Sequence, residues 1–416
     1  MPPIPDDQRL VTVVLCDASG VLLGQLAAFL VAPQFWPEVA AVVDHVRQCD
    51  GLEVTVLRLL TTDGGYAGGP VSYLAQLRSG DPGRLGLVAP PAAAAVAVDP
   101  AYRQWWAEPD ALADLPAWVD AALARRGRRR TGPLRQVKTW NLSMLMRAAT
   151  LEGEVWLKAT PPFLADEGGV ITRVAALDDR LTPRVLDHDP ARRLLLMDHV
   201  PGTDQWGLTD PAVVAAMTER WVAVQRASTT DLEHLLSLGA VDLRPSALLR
   251  SVEAAATRPE TRSHLTTAER DALDALVAAL PGRLSEVSAC GLPDTLVHGD
   301  LHPGNWRRDG DRLTLLDWGD VGVGHPVFDM RAFVERLDGA AAQSRTRAGW
   351  VARWRAAVPG SDPERAARLL APVAELVAAA TYQRFLDHIE ETERVYHRHD
   401  PVDRFRAALA ATDGTP

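Results

Sequence analysis

The stretch from 297 to 320 restricts the folds open to this chain more than any other part of it. It reads VHGDLHPGNWRRDGDRLTLLDWGD, with Asp300 and Asn305 on one loop and Asp317 at the end of the apolar run LTLLDW. Asp309-Gly310-Asp311 is a turn signal, so the segments beside it are expected to pair as a hairpin that folds Asp317 back toward Asn305. The fold must therefore bring two carboxylates and an amide close together.

Composition sets wide limits on the class of protein. The chain has 416 residues, of which 47% are hydrophobic and 24% charged, and this size favours two or three packed units. A formal net charge of -10 argues against nucleic acid or an anionic membrane as partner and mildly favours a cationic substrate. The basic run RRGRRR at 125–130 is interpreted as a solvated linker.

Targeting signals and cysteine clusters are both missing from the sequence. The first ten residues show no basic-then-apolar pattern, and no apolar stretch is long enough to span a bilayer. The three cysteines lie far apart, which argues against a zinc cluster or a disulfide framework. A cytoplasmic location is expected.

The hydrophobic pattern changes along the chain. Residues 1–100 are predicted to form a small α/β domain, and 101–132 a linker. Three strand-like runs follow (LRQVKTW, SMLMRAAT and EVWLKAT), then the strand RLLLMDHV, and helical periodicity dominates after 201. The Ala/Pro-rich run at 89–98 is either a linker or a buried strand.

The segment described first resembles a known family. HGDLHPGN followed by LLDWGD is similar to the aminoglycoside phosphotransferase and choline kinase superfamily, and the resemblance covers roughly residues 134–410. It implies an α+β, protein-kinase-like bilobal fold. The small antiparallel-sheet N-lobe would span 133–200 and the mainly helical C-lobe, with catalytic loop and substrate subdomain, 201–416, preceded by the α/β domain.

The resemblance also implies roles for the polar residues of this segment. Phosphoryl transfer needs a divalent metal on the phosphates and a carboxylate that orients the acceptor hydroxyl. Asp300 would be the catalytic base, and Asn305 and Asp317 would hold Mg²⁺. His298 is expected to hold the loop, and Asp329 to brace it from the next helix. In the alternative, purely structural interpretation, Asp300 and Asn305 only cap a turn.

The nucleotide donor needs a positive charge on the third strand of the small sheet. Lys158 interrupts the apolar strand VWLKA and meets that requirement. Its expected carboxylate partner is Glu167, with Asp166 as competitor, although acids also begin many surface helices. The donor is expected to be ATP, and GTP is not excluded.

Two further donor contacts follow from the resemblance. The polar turn from 138 to 143 would replace a glycine-rich loop, with Ser143 and backbone amides near the phosphates. The backbone from Met197 to His199 would bind adenine. An ordinary hairpin loop and a buried strand with a polar end are the respective alternatives.

The acceptor is expected to be a small molecule rather than a protein. About a hundred mostly helical residues separate the strand RLLLMDHV from Asp300, and both the Arg of HRD and an APE sequence are missing. An aminoglycoside, an amino sugar, an amino alcohol or a related metabolite fits. The acidic run HIEETE at 388–393 could attract an amine, but a solvated helix face is favoured. Trp206, Trp306 and Trp318 could stack on a sugar ring or pack in the core.

Two other classes of function remain. His298, Asp300 and His302 could be metal ligands of a hydrolase, although Pro303-Gly304 would end any strand that carried all three. A non-catalytic nucleotide-binding regulator is the other alternative. It is less favoured because Lys158 and the acidic residues are all present.

The N-terminal region faintly resembles a Nudix-like α/β module in the order of its strands and helix. The metal-binding glutamates of that family are missing, since residues 42–50 read VVDHVRQCD. A degenerate scaffold, a substrate cap or a dimer surface is expected, and an unrelated α/β fold is equally compatible.

Overall fold

The structure, a computed structural model, describes residues 5–63, 67–89 and 102–413. The chain divides into two compact units. Unit 1 contains the chain up to Pro161 together with residues 186–199 and 385–398, and unit 2 contains 162–185, 200–384 and the chain from His399. Most of the Ala/Pro-rich run at 89–98, and the predicted boundary at residue 100, lie outside the described residues.

The first sheet of unit 1 is mixed, with one helix packed against it. Its elements are β1 (Arg9–Cys16), β2 (Leu22–Gln25), β3 (Phe29–Val31), α1 (Ala40–His45), β4 (Glu53–Thr62) and β5 (Pro70–Ser79). The order is β2-β1-β5-β4, with β3 also on β1; β1 and β5 are parallel and the other pairs antiparallel. Trp36 and Val42 are buried against this sheet. This first sheet with its helix belongs to the same compact unit as the second sheet. The domain bounds 1–100 and the Nudix resemblance stay predictions.

The second sheet of unit 1 is antiparallel. Its strands are β6 (Arg135–Trp140), β7 (Ser143–Thr150), β8 (Gly153–Ala159), β9 (Val185–Asp189) and β10 (Leu194–Asp198), in the order β6-β7-β8-β10-β9. β6, β7 and β8 confirm the three strands predicted from residue 134 onward. Lys158 lies on β8 opposite Leu145 and Leu195, in the middle of the sheet.

Much of the segment predicted as a linker is packed structure. Helix α2 (Leu115–Ala124) buries Leu115, Val119 and Leu123 in the same core as Met144 and Leu157 of the second sheet. Alternating apolar residues on β7 and β8 need a cover on that face, and α2 supplies it.

The basic run is also tied to unit 1. Arg128 binds Asp198 on β10 and Glu152 in the turn between β7 and β8. Arg130 binds Asp120 of α2 at 2.7 Å. The predicted solvated linker was wrong for Arg128 and Arg130, because carboxylates outside the run give both side chains partners.

The two sheets of unit 1 are joined through β6. The Gln136 side chain accepts from the Val56 N–H at 2.9 Å and donates to the Val56 carbonyl at 2.7 Å. The Val39 N–H also donates to the Val137 carbonyl at 3.0 Å. The first sheet and α1, residues 9–79, are called the N-terminal module below. This module thereby covers β6, an edge strand of the second sheet.

Unit 2 is mainly helical. Its helices are α3 (Glu167–Ala175), α4 (Pro211–Ser228), α5 (Leu232–Ser237), α6 (Pro245–Ala256), α7 (Pro259–Ser263), α8 (Thr267–Ser288), α9 (Val327–Glu335), α10 (Ala340–Ala357), α11 (Pro363–Leu369), α12 (Ala371–Leu386) and α13 (Asp400–Asp413). Its short strands are β11 (Thr203–Asp204), β12 (Val241–Asp242), β13 (Thr295–Val297), β14 (Trp306–Asp309), β15 (Arg312–Leu315) and β16 (Gly322–Gly324). They form two three-stranded sheets, β11-β14-β15 and β12-β16-β13.

Local signals in the sequence start these helices. Thr266 caps α8 through a capping box with Glu269, as its first-turn residues predict. Asp210 caps α4 by accepting from the Ala212 N–H at 2.9 Å. Their apolar faces meet in one core that includes Leu273 and Trp354. Within the described ranges, no helix has the length and apolar character needed to cross a membrane.

Candidate active site

The predicted hairpin is present in unit 2. β14 and β15 pair antiparallel, with Trp306 opposite Leu315. One step beyond this pair, the Leu316 N–H donates to the Asn305 carbonyl at 2.9 Å. Asp317 is the next residue, so the hairpin returns it to the neighbourhood of Asn305, as the turn signal predicted.

Asn305 closes the loop around Asp300. Its amide nitrogen donates to the Asp300 carbonyl at 2.9 Å and to Oδ2 of the Asp300 carboxylate at 3.1 Å. Because the nitrogen is engaged on this side, the amide oxygen is the atom left to face a cation. The turn-capping alternative thus describes only part of the geometry.

His302 is the nearest polar neighbour of the Asp300 carboxylate. Its Nδ1 accepts from the Gly304 N–H at 3.0 Å, which puts the ring proton on Nε2. Nε2 lies 3.3 Å from Oδ2 of Asp300. Burial raises the pKa of Asp300, but the interaction with His302 lowers it by more, and the net pKa is lowered. Asp300 is therefore a carboxylate at neutral pH.

Asp317 has an unusual backbone. It is one of three residues other than glycine with positive φ among those described, at 65°, and its side chain is exposed. Aspartate tolerates this conformation better than most residues, but the conformation still costs about 1 kcal/mol or more. Strain of this kind persists where surrounding contacts impose it.

Glu167 supports the segment that follows Asp317. Its Oε1 accepts from the Trp318 N–H at 3.1 Å, and the Ala165 N–H donates to the Gly319 carbonyl at 3.0 Å. Glu167 is buried at the first turn of α3. Asp166 occupies the cap position of that helix and is also buried. Asp300, Asn305, Asp317 and Glu167 therefore all lie in unit 2, and Glu167 contacts the residue that follows Asp317.

His298 holds the loop, as expected. Its Nε2 lies 3.1 Å from the Leu316 carbonyl, and its ring packs against Trp221 and Trp318. Burial lowers the pKa of His298 to about 4, so the ring is neutral. A buried neutral ring anchored to the backbone is a scaffold.

Asp329 braces the same loop from α9. Its carboxylate accepts from the N–H groups of His298 at 2.8 Å and Gly299 at 3.2 Å. It also accepts from the indole N–H of Trp221 at 3.0 Å and from the Gln225 amide at 3.3 Å. Burial raises the pKa of Asp329 to about 7 despite these donors. The position of Asp300 thus depends on an acid that does not touch it.

Gly299 is required between these residues. Its φ is +85°, and a Cβ added there would lie 2.1 Å from the Asp320 carbonyl. Only glycine fits this close approach of two backbones. The contact joins the loop that carries Asp300 to the segment that follows Asp317.

His325 offers a pH-dependent test of this region. Its Nδ1 accepts from the Val327 N–H at 3.2 Å, and burial lowers the pKa of the ring to about 3. The unfolded chain would bind this proton near pH 6.5, so stability is full above that pH and is lost as pH falls toward 3. We expect the unfolding free energy to fall by about 3 kcal/mol more in the wild type than in His325→Asn between pH 7 and pH 4.

Urea denaturation at each pH measures this difference. Asparagine keeps an acceptor for the Val327 N–H and removes the titration, which makes it the matched variant. Parallel profiles for the two proteins would contradict the assignment.

The predicted donor-binding residues other than Glu167 lie in unit 1. Lys158 is buried on β8, with 7% of its surface exposed. Met197 lies on β10 opposite Trp156. The His199 N–H already donates to the Glu154 carbonyl at 3.0 Å, and its Nδ1 accepts from the Trp156 indole at 3.1 Å. These contacts hold the end of β10 beside the start of β8.

The turn between β6 and β7 is a two-residue hairpin in which Trp140 pairs with Ser143. The Ser143 hydroxyl accepts from the Trp140 indole at 2.8 Å. Asn141 in the turn is buried, and its backbone N–H donates to Glu393 at 2.6 Å. Its side-chain amide donates to Glu390 at 3.2 Å.

The acidic run at 388–393 was wrongly interpreted as a solvated helix face. Glu390 and Glu393 are buried in unit 1, against Asn141, and Arg103 donates to Glu390 at 3.2 Å. Burial raises the pKa of Glu393 well above its usual range. These acids lock the hairpin turn, and their burial argues against a role in attracting an amine.

Tyr382 is a neighbour of the site that the sequence did not indicate. It lies on α12, and burial raises its pKa, with the Asp300 carboxylate among the charges that raise it further. Trp306 and Trp318 are fully buried and pack in the core, whereas Trp206 is exposed. Tyr382 carries no motif, and it is more than eighty positions from Asp300 in the sequence.

The donor set suits a hard cation such as Mg²⁺. The oxygen of Asn305 and the exposed carboxylate of Asp317 are the ligand types that Mg²⁺ takes in phosphoryl-transfer sites, where phosphates and water complete the coordination. No group of three or more His, Cys, Asp or Glu side chains in the described part of the chain is arranged to hold a metal. In the loop itself, Nε2 of His298 lies on the Leu316 carbonyl and Nδ1 of His302 accepts from the Gly304 N–H, so each ring already has a backbone partner.

Comparison with solved structures shows the fold. The fold is similar to that of the choline kinase LicA from Streptococcus pneumoniae, at 14% identity and a TM-score of 0.50, over 72% of this chain and 99% of that one. Macrolide 2'-phosphotransferase MphH from Brachybacterium faecium is also similar, at 20% identity and a TM-score of 0.48, over 73% and 99%. The fold is that of the protein-kinase-like phosphotransferases.

The sequence comparison is more specific. A model of the phosphotransferase enzyme family (APH) matches residues 157–370, just over half of the chain. The chain belongs to this family and is a small-molecule kinase. No curated protein matches it significantly. The N-terminal module and the strands β6 and β7 lie outside the matched residues.

Proposed function

We propose that this chain transfers the γ-phosphoryl group of ATP to a hydroxyl of a small molecule, with Asp300 as the catalytic base. The observation that carries the proposal is the ionised carboxylate of Asp300, bonded by Asn305 and His302 on a loop that is braced from behind by Asp329. Such a carboxylate can orient a hydroxyl and accept its proton.

The step conserves atoms and charge. The acceptor hydroxyl donates to Asp300, and its oxygen forms a bond to the γ-phosphorus as the bond from that phosphorus to the β-phosphate oxygen breaks. ADP leaves with the bonding electron pair, and the proton goes to Asp300 and then to solvent. Because the pKa of Asp300 is lowered, the base is ready at neutral pH.

The donor is proposed to lie against the second sheet. Lys158 would meet the phosphates, with Glu167 as its carboxylate partner, and Ser143 with the turn before it would cover them. The backbone at Met197 and His199 would meet the base. We propose ATP as the donor. ATP and GTP differ at the edge of the purine ring that this strand would contact, so the strand is where the two would be distinguished.

Asn305 and Asp317 are the residues proposed to hold Mg²⁺. The bound ion would neutralise charge on the β- and γ-phosphates. Support comes from the Asn305 amide, whose nitrogen is engaged by Asp300, and from the exposed Asp317 carboxylate. The hydrogen bond from the Leu316 N–H to the Asn305 carbonyl keeps Asp317 next to Asn305.

The test is a phosphorylation screen. Purified protein with ATP and Mg²⁺ is incubated with aminoglycosides, amino sugars and amino alcohols, and phosphorylated products are detected by mass spectrometry. We expect at least one acceptor to gain one phosphoryl group. Ester hydrolysis supported by zinc without nucleotide would instead favour the hydrolase, and tight ATP binding without any product would favour a regulator.

Asp317 gives a second measurement. Asp317→Asn keeps the size of the side chain and removes the charge. Loss of outer contacts alone weakens metal sites about 10–100-fold, so the Mg²⁺ concentration for half-maximal rate should rise at least about tenfold. Titration of the initial rate with Mg²⁺ measures the shift, and Asp311→Asn in the exposed hairpin turn is the control. An unchanged Mg²⁺ dependence in Asp317→Asn would remove Asp317 from the metal site.

A further inference from the structure

Unit 2 contains an open cavity that has no part in the site described above. It lies between α9, α10, α11 and the first residue of α12, and its volume is about 640 Å³. Small-molecule sites typically have volumes of roughly 300–1,000 Å³. Helices that pack on one another normally leave few gaps larger than a water molecule, so a space of this size needs a cause in the sequence.

Small side chains account for the space. The face of α10 that lines the cavity contains Ala348 and Ala352, both exposed, while α11 contributes Ala367 and α12 begins with Ala371. Packed helix axes lie about 8–10 Å apart, and a side chain that ends at Cβ cannot fill the distance between them. The alanines therefore keep the cavity open.

The deeper walls of the cavity are aliphatic. Val327 and Val334 of α9 and Val351 of α10 are buried, and they line the cavity together with Met330. Among the described residues that line it, none is aromatic. A hydrocarbon chain fits such walls, whereas a purine or a sugar ring would find no aromatic face on which to stack.

The cavity lies on the side of α9 that faces away from the loop of Asp300. Val327, Arg331 and Val334 line the cavity at the spacing of three and four residues that marks one face of a helix. Asp329, which braces the loop, is two positions from both Val327 and Arg331. Two positions correspond to about 200° around a helix, which places Asp329 on the opposite face.

Four arginines and two glutamates give the cavity its charge. Arg331 binds Glu335 at 2.8 Å and also binds Glu375, which is buried on α12, at 2.8 Å. Arg355 lies 3.7 Å from Glu364. Both glutamates of the lining and two of its four arginines are therefore already paired.

Arg347 of α10 and Arg368 of α11 are the two charges that remain. Both are exposed at the rim of the cavity, and neither has an ion-pair partner within the part of the chain that the structure describes. A guanidinium binds a carboxylate through two parallel N–H···O bonds. The rim thus offers two cations to an anion whose apolar part enters the cavity.

We propose that this cavity binds an aliphatic carboxylate, with the carboxylate at Arg347 and Arg368 and the hydrocarbon chain against Val327, Val334 and Val351. The site is separate from the loop that carries Asp300. The inference goes beyond the proposed phosphoryl transfer and does not depend on it, because binding at this cavity can be measured without any turnover.

Calorimetric titration of the full chain tests the proposal. Hexanoate, octanoate and decanoate are the probes, and decylamine is the cationic probe with the chain length of decanoate. Burial of two further CH₂ groups is expected to tighten binding roughly tenfold at each step of the series. Decylamine is expected to bind roughly tenfold more weakly than decanoate, because the arginines repel it.

Two double variants test the contribution of the rim. Arg347→Ala with Arg368→Ala is expected to raise the Kd for decanoate roughly tenfold. Arg345→Ala with Arg365→Ala is the matched control, because it removes the same charge from exposed positions of the same two helices, outside the lining. The control should leave the Kd within about twofold of the wild type.

Four results would overturn the proposal. They are equal affinity for hexanoate and decanoate, equal affinity for decylamine and decanoate, equal losses in the two double variants, and no binding of any of the three carboxylates.

Asp300→Ala shows where the probe binds. This variant leaves the cavity intact, so its Kd for decanoate should equal that of the wild type. Loss of decanoate binding in Asp300→Ala would place the probe at the loop of Asp300 and would also overturn the proposal.

Discussion

Asp300→Ala is expected to lower kcat by about a thousandfold or more while ATP affinity stays within about twofold. The reason is geometric: the carboxylate lies on the loop beside His302 and Asn305, and its lowered pKa keeps it ionised. Without it the acceptor hydroxyl is neither oriented nor deprotonated. Steady-state rates with an accepted acceptor and calorimetric titration of ATP measure the two effects.

Two further variants sharpen this result. Asp300→Asn preserves shape and an oxygen for the Asn305 amide, yet it cannot take a proton, so it should be nearly as inactive as the alanine variant. Asp311→Ala removes an exposed acid from the hairpin turn of the same segment and should leave kcat unchanged. If Asp300→Ala kept more than a tenth of the wild-type kcat, another group would have to be the base.

The catalytic hairpin could be predicted because its determinants are local. A turn signal at Asp309-Gly310-Asp311 and two apolar flanks fix the register that returns Asp317 to Asn305, and the observed pairing of Trp306 with Leu315 confirms it. The same holds for the strand that carries Lys158, since alternation and short turns define β6, β7 and β8. Contacts between residues a few positions apart can be predicted from the local sequence alone.

The fine geometry of the site could not be predicted. Asp317 has a positive φ, and the segment that follows it is bonded to the chain before α3, where the Ala165 N–H donates to the Gly319 carbonyl. The proton position on His302 depends on the Gly304 N–H. No pattern of residue types specifies either, because each results from backbone positions set by the whole unit.

Long-range contacts account for the largest errors. Asn141 and Glu390 are 249 positions apart, yet they bond in the core of unit 1. A run of glutamates is ordinarily solvated, and it becomes buried only when a partner such as Asn141 or Arg103 is supplied by the tertiary structure. The prediction of a solvated linker was wrong for Arg128 and Arg130 for the same reason, because the folded chain supplies their carboxylate partners.

The N-terminal module illustrates a third case. The family resemblance ends short of it, and its own sequence lacks catalytic signals. In the structure its β4 meets β6 through Gln136 and Val56, and Thr392 bonds to the Leu59 carbonyl at 3.3 Å. The module therefore supports the sheet on which Lys158 lies, which is a structural contribution that composition alone could not reveal.

Asp329→Ala is expected to destabilise the protein by about 3–5 kcal/mol and to lower kcat as well. Removing this carboxylate leaves the backbone N–H groups of His298 and Gly299 and the Trp221 indole without this acceptor, and it leaves the Gln225 amide with only the Leu296 carbonyl at 3.4 Å. Urea denaturation measures the loss, and Asp338→Ala, an exposed acid just beyond α9, serves as the stability control.

The asparagine variant separates bracing from charge. Burial raises the pKa of Asp329 to about 7, so near neutral pH the ionised form already carries a solvation cost that a neutral amide at this position would not carry. Asp329→Asn keeps one oxygen for the loop and should therefore lose less stability than Asp329→Ala. If its kcat nevertheless fell as far as that of the alanine variant, activity would require all the contacts that hold Gly299 and the loop of Asp300 in place. If both variants kept wild-type kcat once folded, the catalytic loop would hold its conformation without this brace, and the coupling between α9 and Asp300 would be refuted.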